Sequence, residues 1–341
     1  MNENEILNNA RKVIDSSKCK VCPVCNGAVC GGMIPGMGGI GTGAAFRNNY
    51  EAWTKRNLVM SVLHDANDPD CSLNIFGQEI SLPVMIAPIG DIASQINGGL
   101  SIAQYTRAVI DNCMAAQTFA SIGDLIGFEP FKSAIDQIKG RAHRVLPFIK
   151  TWDDEEFFRK LEIVKEAGCR VVGTDVDSAG LTGLRKSPVH VSVWDERKLK
   201  SIVHRVHGFQ MKYIVKGIMS LEDAQRAVDC GADAILVSNH GGRVLDFTQG
   251  SADVLEKIAD KFSKHAEILV DGGIRTGADV LKALALGAKM CLICRPAAIS
   301  VHGDQLNGLK IYFENIRQEL LHAMRMTGCR NLESVSKKVI V

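Results

Sequence analysis

Residues 213–239 read YIVKGIMSLEDAQRAVDCGADAILVSN and contain a complete strand–helix–strand pattern. The two apolar runs, Tyr213–Gly217 and Ala234–Asn239, are five or six residues long and largely apolar on both faces, as strands of a buried parallel sheet are. Between them, Ser220-Leu-Glu-Asp is typical of a helix start, because an N-cap hydroxyl is followed by an acid three residues later. The stretch therefore predicts a βαβ unit of a parallel sheet.

The same unit recurs from residue 84 onward. Amphipathic segments such as Asp154–Ala167 separate the apolar runs, and Thr276-Gly-Ala-Asp repeats the helix start. Eight such units predict an α/β fold, a (β/α)8 barrel of the TIM type, with a doubly wound sheet as the alternative. The eight predicted strands are Val84–Pro88, Ala115–Ala120, Val145–Ile149, Val171–Val176, Tyr213–Gly217, Ala234–Asn239, Ile268–Gly273 and Met290–Arg295.

Two parts of the chain are expected. Residues 84–341 form the barrel, and residues 1–83 form an N-terminal extension and cap. The glycine-rich stretch Gly31–Gly43 cannot pack a core of its own, so we expect it to fold over the barrel as a loop. Leu73–Leu82 is predicted to be a hairpin with Gly77 at its turn, and such a hairpin would close the bottom of the barrel.

Composition excludes several classes of function. The formal net charge is +2 over 341 residues, and no basic run is present, which argues against a nucleic-acid or membrane-surface partner. Met1–Lys18 has no apolar core of the kind found in a signal peptide, and no window approaches a membrane span of roughly 18 apolar residues. We therefore expect a cytoplasmic protein, whose thiols are kept reduced.

Polar residues collect where the predicted strands end. In a TIM barrel the active site lies at the carboxyl ends of the strands. Any one of these residues could have a purely structural role, but a packing-only account predicts small or apolar residues at all of these positions. The residues are Asp175 and Asp177 after strand 4, Lys216 on strand 5, Asn239, His240 and Arg243 after strand 6, Asp271 and Arg275 at strand 7, and Arg295 at strand 8.

The last two units carry a phosphate-binding pattern. Strands 7 and 8 of such barrels often hold a phosphate through backbone N–H groups and a short helix N-terminus. Gly272 and Gly273 allow close backbone approach, while Arg275 and Arg295 supply charge-assisted hydrogen bonds. Asp271 suits a ribityl or ribose hydroxyl. This spacing is typical of an FMN site.

Several longer stretches carry a family resemblance. They are Leu82–Pro88, Ile214–Gly217, Val237–Asp246, Asp271–Arg275, and the run from Leu281 to Arg295-Pro296. Over about residues 80 to 330, and most closely over 213–296, the chain resembles the FMN-dependent α-hydroxy-acid oxidase/dehydrogenase family, which includes glycolate oxidase and lactate oxidase. It would be a divergent, cysteine-rich member.

The resemblance implies roles for the residues at the strand ends. His240 would be the general base, Arg243 would bind the substrate carboxylate, and Lys216 would face the N1/O2 edge of the flavin. Asp177 would pair with His240, although Asp175 lies one strand step away and is an alternative. The expected cofactor contacts are Ala87, Pro88, Gln117, Lys216, Asp271, Gly273, Arg275 and Arg295.

The substrate pocket departs from the family pattern. Family members use two active-site tyrosines, and none of the four tyrosines here, Tyr50, Tyr105, Tyr213 and Tyr312, falls at either place. Ile149 stands where the strand 3 tyrosine is expected, and Lys150 beside it is a candidate substrate-binding residue. Cys30–Gly39 replaces the region of the N-terminal tyrosine. Substrate and electron acceptor are therefore left open.

Four cysteines in the extension follow a ligand-like spacing, Cys19-x2-Cys22-x2-Cys25-x4-Cys30. Three cysteines at two-residue intervals resemble the ligand run of bacterial iron–sulfur proteins, and four thiolates would also suit zinc. The Cys-Pro that usually completes such a run downstream is absent. An iron–sulfur cluster, a zinc site and unliganded thiols are the three hypotheses.

The leading hypothesis for function is an FMN-dependent oxidoreductase acting on a 2-hydroxy acid or a related small carboxylate. One alternative is an enzyme like type 2 isopentenyl-diphosphate isomerase, a related FMN barrel. Another is a flavin-binding redox sensor that uses the cysteines without turnover. By analogy with the family, we expect a homo-oligomer.

Overall fold

The computed structural model describes residues 1–32, 37–184 and 190–341. Within them the strands are β1 (Leu73–Ile75), β2 (Gln78–Ile80), β3 (Val84–Ile86), β4 (Ala120–Ile122), β5 (Val145–Lys150), β6 (Val171–Asp175), β7 (Lys212–Ile218), β8 (Ala234–Val237), β9 (Glu267–Asp271) and β10 (Met290–Ile293). The helices are α1 (Glu3–Val13), α2 (Ala44–Thr54), α3 (Ile92–Gln95), α4 (Ile102–Ala115), α5 (Phe128–Ile135), α6 (Asp154–Glu166), α7 (Glu196–Gly208), α8 (Leu221–Asp229), α9 (Ser251–Phe262), α10 (Gly277–Ala285), α11 (Arg295–Gly303) and α12 (Gly308–Thr327).

Strands β3 to β10 form one eight-stranded parallel sheet in the order β3-β10-β9-β8-β7-β6-β5-β4. The two end strands, β3 and β4, are joined by hydrogen bonds from side chains to backbone carbonyls. Ser121 Oγ donates to the Ile86 carbonyl at 2.6 Å, and Thr118 Oγ1 donates to the Val84 carbonyl at 2.5 Å. The sheet therefore curls into a barrel surrounded by helices. The prediction of a (β/α)8 barrel is confirmed over the doubly wound alternative.

Side chains alternate between the inside of the barrel and the helix layer. On β7, for example, Tyr213 and Val215 pack in the cluster under the helices, whereas Ile214 belongs to the apolar cluster inside the barrel. Hairpin residues Leu73 and Ile80 join that inner cluster. The predicted hairpin therefore exists and fills the amino end of the barrel, which leaves the carboxyl end for a ligand.

One predicted strand is wrong in position. The sequence predicted strand 2 over Ala115–Ala120, but α4 continues to Ala115 and β4 begins only at Ala120. Between them Gln117 takes a left-handed φ of 53°, which ends the helix, and its carbonyl accepts a hydrogen bond from Ser81 at the amino end of the barrel. Gln117 is exposed there, at the end opposite the active-site mouth. Its assignment as a cofactor contact is therefore wrong.

The N-terminal segment packs on the barrel at several places. Helix α1 contacts α11, and α2 contacts α9. In the glycine-rich stretch, Ile40 N–H donates to the Gly242 carbonyl at 2.8 Å, and Thr42 donates to the Asp246 carboxylate through N–H and Oγ1, at 2.6 and 2.8 Å. The described part of this stretch thus folds over the barrel mouth, as predicted. Residues 33–36 lie outside the described residues, and the boundary at residue 83 stays a prediction.

None of the helices in the described residues is both long enough and apolar enough to cross a membrane.

Candidate active site

Five consecutive strands place a polar residue at the inward position nearest the carboxyl end. Lower inward positions hold apolar residues such as Phe148, Ile214 and Leu269, so only the last inward position of each strand reaches the mouth. The register puts Lys150 beside Asp175, and Asp175 beside Lys216. A one-residue shift in register would turn one of these side chains toward the helix layer. The five residues are Lys150, Asp175, Lys216, Ser238 and Asp271.

Four of these side chains, Lys150, Asp175, Lys216 and Asp271, form the floor of a cavity of about 270 Å³ at the barrel mouth. Its rim includes His240 and Arg243 on one side and Arg275 and Arg295 on another. Apolar residues, among them Leu125, complete the wall. A concave site with a few convergent polar groups is the expected form of a small-molecule site.

His240 is presented by a tight turn after β8. Three consecutive residues have left-handed φ angles: 57° at His240, 65° at Gly241 and 77° at Gly242. A Cβ at Gly242 would lie 2.4 Å from the Phe46 backbone nitrogen on α2, so only glycine fits there. The left-handed conformation is uncommon for a histidine, and backbone strain of this kind concentrates at functional sites. The glycine pair of the motif therefore aims the imidazole into the cavity.

The imidazole contacts both a carboxylate and an ammonium. His240 Nδ1 lies 3.0 Å from Asp177 Oδ1 and 3.3 Å from Lys216 Nζ. We assign the Nδ1 proton to the Asp177 bond, because an ionised carboxylate can only accept. Burial holds the pKa of His240 well below 6.5, and the positive charge of Lys216 lowers it further. Near pH 7 the ring is therefore neutral, and Nε2 is free to accept a proton.

The two aspartates after β6 have separate partners. Asp175 Oδ1 lies 2.9 Å from Lys216 Nζ, and both side chains are 4% exposed, which makes this a buried ion pair. Burial lowers the pKa of Lys216, but Asp175, Asp177 and Asp271 raise it more, so its net pKa lies above the ordinary value. Lys216 therefore stays charged. The pairing also resolves the alternative left by the sequence, because Asp177 is the histidine's partner.

Arg243 faces the same cavity three residues beyond His240. Burial, followed by the charge of Arg295, lowers the pKa of Arg243 to about 10, so it remains a cation at neutral pH. Its planar fork is suited to a carboxylate. A carboxylate bound by Arg243 would hold its α-carbon near the imidazole.

The ends of β9 and β10 bring two arginines to the cavity. Arg275 and Arg295 line the cavity, and Arg295 opens helix α11, whose N-terminus favours negative charge. Arg295 donates to the Gly241 carbonyl at 3.1 Å, and Arg275 donates to the Cys25 carbonyl at 2.9 Å. Among the described residues neither guanidinium forms an ion pair with a carboxylate. Two such cations sharing one cavity call for an anionic ligand.

Asp271 supplies a buried acceptor next to that anion site. Its Oδ1 is buried and has no hydrogen-bond partner among the described residues, and burial raises its pKa to about 6. An orphaned buried oxygen at this place is explained by a ligand hydroxyl that donates to it. A ribityl chain between a phosphate and a ring system would carry such hydroxyls.

Fold and site together define a TIM-barrel oxidoreductase that holds a phosphorylated flavin. A family model described as FMN-dependent dehydrogenase matches residues 36–200 and 189–341, so the chain belongs to that family and its cofactor is FMN. The chain is 29% identical over 333 residues to 4-hydroxymandelate oxidase from Amycolatopsis orientalis, covering 86% of this chain and 89% of that protein. It is 28% identical to 2-hydroxyacid oxidase 2 from Bos taurus, covering 86% and 88%.

A solved structure agrees with this assignment. A mandelate oxidase variant bearing a monooxide FMN adduct is 27% identical and superposes with a TM-score of 0.71, over 89% of this chain and 92% of that one. The residues present here fit FMN, since the paired arginines suit its phosphate and Asp271 Oδ1 suits a ribityl hydroxyl. When bound, FMN supplies an acceptor for two electrons.

Most of the predicted site residues meet in this cavity. Ala87, Pro88, Lys150, Lys216, His240, Arg243, Asp271, Gly273, Arg275 and Arg295 all line it. Asp177 lies behind His240, and the four cysteines lie outside the lining, with Cys25 touching Arg275. No tyrosine is found among the described lining residues. On β5 the buried Ile149 packs toward the helices, so Lys150 is the β5 side chain that reaches the cavity.

Sequence reasoning missed Asp124, which follows β4. Its Oδ2 accepts from the Lys150 backbone N–H at 2.8 Å and from Trp152 Nε1 at 2.5 Å. Its carbonyl accepts from Lys150 Nζ at 2.6 Å, and its Oδ1 accepts from Lys160 Nζ at 2.7 Å. The available signal was an acid directly after an apolar run, the same signal that identified Asp175 and Asp271. Asp124 therefore fixes the position of the lysine that faces the substrate space.

Replacing Arg275 or Arg295 with alanine is expected to weaken FMN binding by about ten- to a hundredfold, since each removes charge-assisted hydrogen bonds to the phosphate. Titration of apoprotein with FMN, followed by quenching of flavin fluorescence, measures the dissociation constant. Arg226→Ala on α8 is the matched control, because its side chain is 59% exposed and forms an ion pair with Asp223. Unchanged affinity in both cavity variants would remove these arginines from the phosphate site.

Proposed function

We propose that this protein oxidises a 2-hydroxy acid to the 2-oxo acid, with its FMN receiving the two electrons. The observation that carries the proposal is the neutral imidazole of His240, held by Asp177 next to Arg243 and above the charged Lys216. The names of two relatives, a 4-hydroxymandelate oxidase and a 2-hydroxyacid oxidase, support the same substrate class.

The residues divide the chemistry among them. Arg243 binds the substrate carboxylate and orients the α-carbon. His240 Nε2 takes a proton from the substrate, and Asp177 stabilises the imidazolium that results. Lys216 would supply a fixed positive charge to stabilise the negative charge of reduced FMN. Each role uses a group already positioned in the cavity, so little reorganisation is needed.

Substrate selection depends on Lys150, which follows Ile149, the residue at the expected tyrosine position, and which is the β5 side chain in the cavity. Lys150 lies at the β5 end of the cavity, and its Nζ is held by the Asp124 carbonyl. Burial lowers its pKa, which Asp124 and Asp175 partly oppose. A second basic group opposite Arg243 favours a substrate whose far end carries a hydrogen-bond acceptor or a second carboxylate. Apolar Leu125 and Leu181 leave room for a short carbon chain between them.

A screen under anaerobic conditions tests the proposal. Glycolate, lactate, mandelate, malate and 2-hydroxyglutarate are each added to the FMN-loaded protein, and bleaching of the visible flavin absorbance is followed. We expect bleaching by at least one of them, with Lys150→Met slowing the dicarboxylates more than lactate. If the whole panel leaves the flavin oxidised, the proposal fails.

The pH profile of flavin reduction should reflect the lowered histidine pKa. The base form of His240 is required, and its pKa lies well below 6.5, so the reactive form persists as pH falls through 6.5. We expect kcat/KM to stay level between pH 8 and 6.5 and to fall only below that range. Stopped-flow reduction in buffers of constant ionic strength measures it. An acid limb centred at or above 6.5 would contradict the proposed environment.

The same screen separates the two alternatives from the sequence. An isomerase like the type 2 isopentenyl-diphosphate enzyme would leave the flavin oxidised with every hydroxy acid, and so would a sensor without turnover. We further propose a reducing compartment such as the cytosol, which is supported by eleven cysteines that are all free. The screen does not depend on the identity of the electron acceptor. The predicted homo-oligomer is tested separately by light scattering.

A further inference from the structure

The four N-terminal cysteines share one ordered loop. Residues 19–30 contain no helix or strand, yet the loop is fixed from outside, because Arg11 Nε on α1 donates to the Val21 carbonyl at 3.1 Å. Val21 itself is 1% exposed with a left-handed φ of 49°, and its N–H donates to Cys19 Sγ at 3.4 Å. A β-branched residue in this conformation is strained, so the loop is organised around something other than its own backbone preferences.

Cys22, Cys25 and Cys30 all lie close enough to Cys19 to act on its thiol. All four cysteines are free and half-buried. Burial raises the pKa of Cys19 to about 11, and the neighbouring Cys25, Cys30 and Cys22 raise it further. Burial likewise raises the pKa of Cys30, with Cys25 and Cys22 adding to it. Four half-buried thiols in one fixed loop, three of them at two-residue intervals, supply the sulfur donors that an iron–sulfur cluster requires.

The loop also touches the flavin phosphate site. Arg275 Nε donates to the Cys25 carbonyl at 2.9 Å, and Arg275 Nη2 lies 3.8 Å from Cys25 Sγ. Arg295 is close enough to Cys25 and Cys30 for their charges to act on its pKa. The two arginines assigned to the FMN phosphate therefore also stand beside the cysteine site. Their positive charge would offset that of several bound thiolates.

In the described residues no tight triad of thiol sulfurs is present, which favours an iron–sulfur cluster over zinc. A zinc ion with Zn–S bonds of about 2.3 Å requires ligand sulfurs roughly 3.8 Å apart. In the described part of the chain, the one triad of potential ligand atoms within 4.8 Å of one another is Asp175, Asp177 and His240. No three of the thiol sulfurs are that close. In an iron–sulfur cluster each thiolate binds a different iron, so the sulfurs stand further apart.

We propose that Cys19, Cys22, Cys25 and Cys30 bind a [4Fe–4S] cluster next to the FMN phosphate site, and that it carries electrons away from the flavin. The second clause rests on the proposed function; the cluster site does not. Each hydroxy acid oxidised releases two electrons and two protons. The cluster takes the electrons from the reduced flavin one at a time and passes each to a one-electron carrier protein. Both protons go to solvent.

Metal analysis tests the site directly. The full chain is purified anaerobically, incubated with ferrous iron, sulfide and a thiol, and desalted. We expect about four iron and four sulfide per chain, with an electron paramagnetic resonance signal after dithionite reduction. Cys22→Ser and Cys25→Ser should lose most of the iron. Cys230→Ser is the matched control, since its thiol donates to the Glu196 carbonyl and a hydroxyl can do the same. FMN content and circular dichroism check folding.

Three results would overturn the site: zinc at stoichiometric level with no iron, disulfides among the four cysteines in the anaerobic protein, or no metal after reconstitution. The electron route has its own readout. A hydroxy acid that bleaches the flavin should also produce the reduced-cluster signal in the wild-type chain, whereas in Cys25→Ser the flavin bleaches without it. A loaded cluster that stays oxidised while the flavin bleaches would refute the route but leave the site. A flavin that never bleaches, with iron bound, would refute only the proposed function.

Discussion

Replacing His240 with asparagine is expected to slow anaerobic reduction of the flavin by about 10²–10⁴-fold, while FMN stays bound. Asparagine tolerates the left-handed φ of 57° at this position and can still hydrogen-bond Asp177, so the turn is preserved. What is lost is the basic Nε2 that we propose as the acceptor of the substrate proton. Single-turnover stopped-flow measurements with the best substrate of the panel give the rate constant.

The control for this variant is His204→Asn, which changes an exposed histidine on α7 far from the cavity. It should reduce its flavin at the wild-type rate. His240→Ala should be as slow as the asparagine variant if proton transfer is the missing step. A His240→Asn enzyme that keeps a tenth or more of the wild-type rate would show that another group is the base.

Replacing Lys160 with methionine is expected to lower the free energy of unfolding by about 3–5 kcal/mol, the cost of breaking a buried ion pair from one side. Lys160 is fully buried, with its Nζ 2.7 Å from Asp124 Oδ1 and 3.2 Å from Glu156 Oε1. Methionine fills a similar volume, so the loss isolates the charge and its hydrogen bonds. Urea unfolding followed by circular dichroism measures the change.

An exposed pair provides the comparison. Lys132→Met removes a lysine whose Nζ lies 2.8 Å from Asp136, with both side chains about half exposed, and it should cost less than about 1 kcal/mol. Equal losses of unfolding free energy in the two variants would mean that the buried ion pair stabilises the fold no more than the exposed one. Because Asp124 also positions Lys150, we expect Lys160→Met to weaken substrate binding as well, seen as a raised KM.

These two effects arise from different layers of the molecule. His240 acts at the mouth, where strain, burial and charge prepare one group for chemistry. The Asp124–Lys160 pair joins the end of β4 to helix α6 and supports the cavity wall from behind. Asp124 therefore affects both activity and stability, because it accepts hydrogen bonds from both the helix layer and the cavity lysine.

Much of the architecture could be predicted from periodicity. The strands were identified because each is a short apolar run followed by a capped amphipathic segment, and Ser220 and Thr276 do cap α8 and α10. Strand 2 was misplaced because Ala115 and Ala116 suit a helix end as well as a strand start, and the chain reverses only at Gln117. Alanine is found on buried and on exposed faces of helices and strands alike. The hydrophobic pattern alone therefore could not locate the turn.

The strand-end residues, the glycine-arginine motifs after β8 and β9 and the Arg295-Pro296 pair after β10 were determined by the sequence itself, since a parallel barrel must bring the carboxyl ends of its strands together. Which of these side chains contact one another was decided only by the tertiary structure. Whether Lys216 meets Asp175 or Asp177, whether Asp124 meets Lys160, and whether the cysteine loop reaches Arg275 depend on register and on contacts between distant segments. A one-residue shift turns a side chain to the opposite face, and no local pattern encodes that choice.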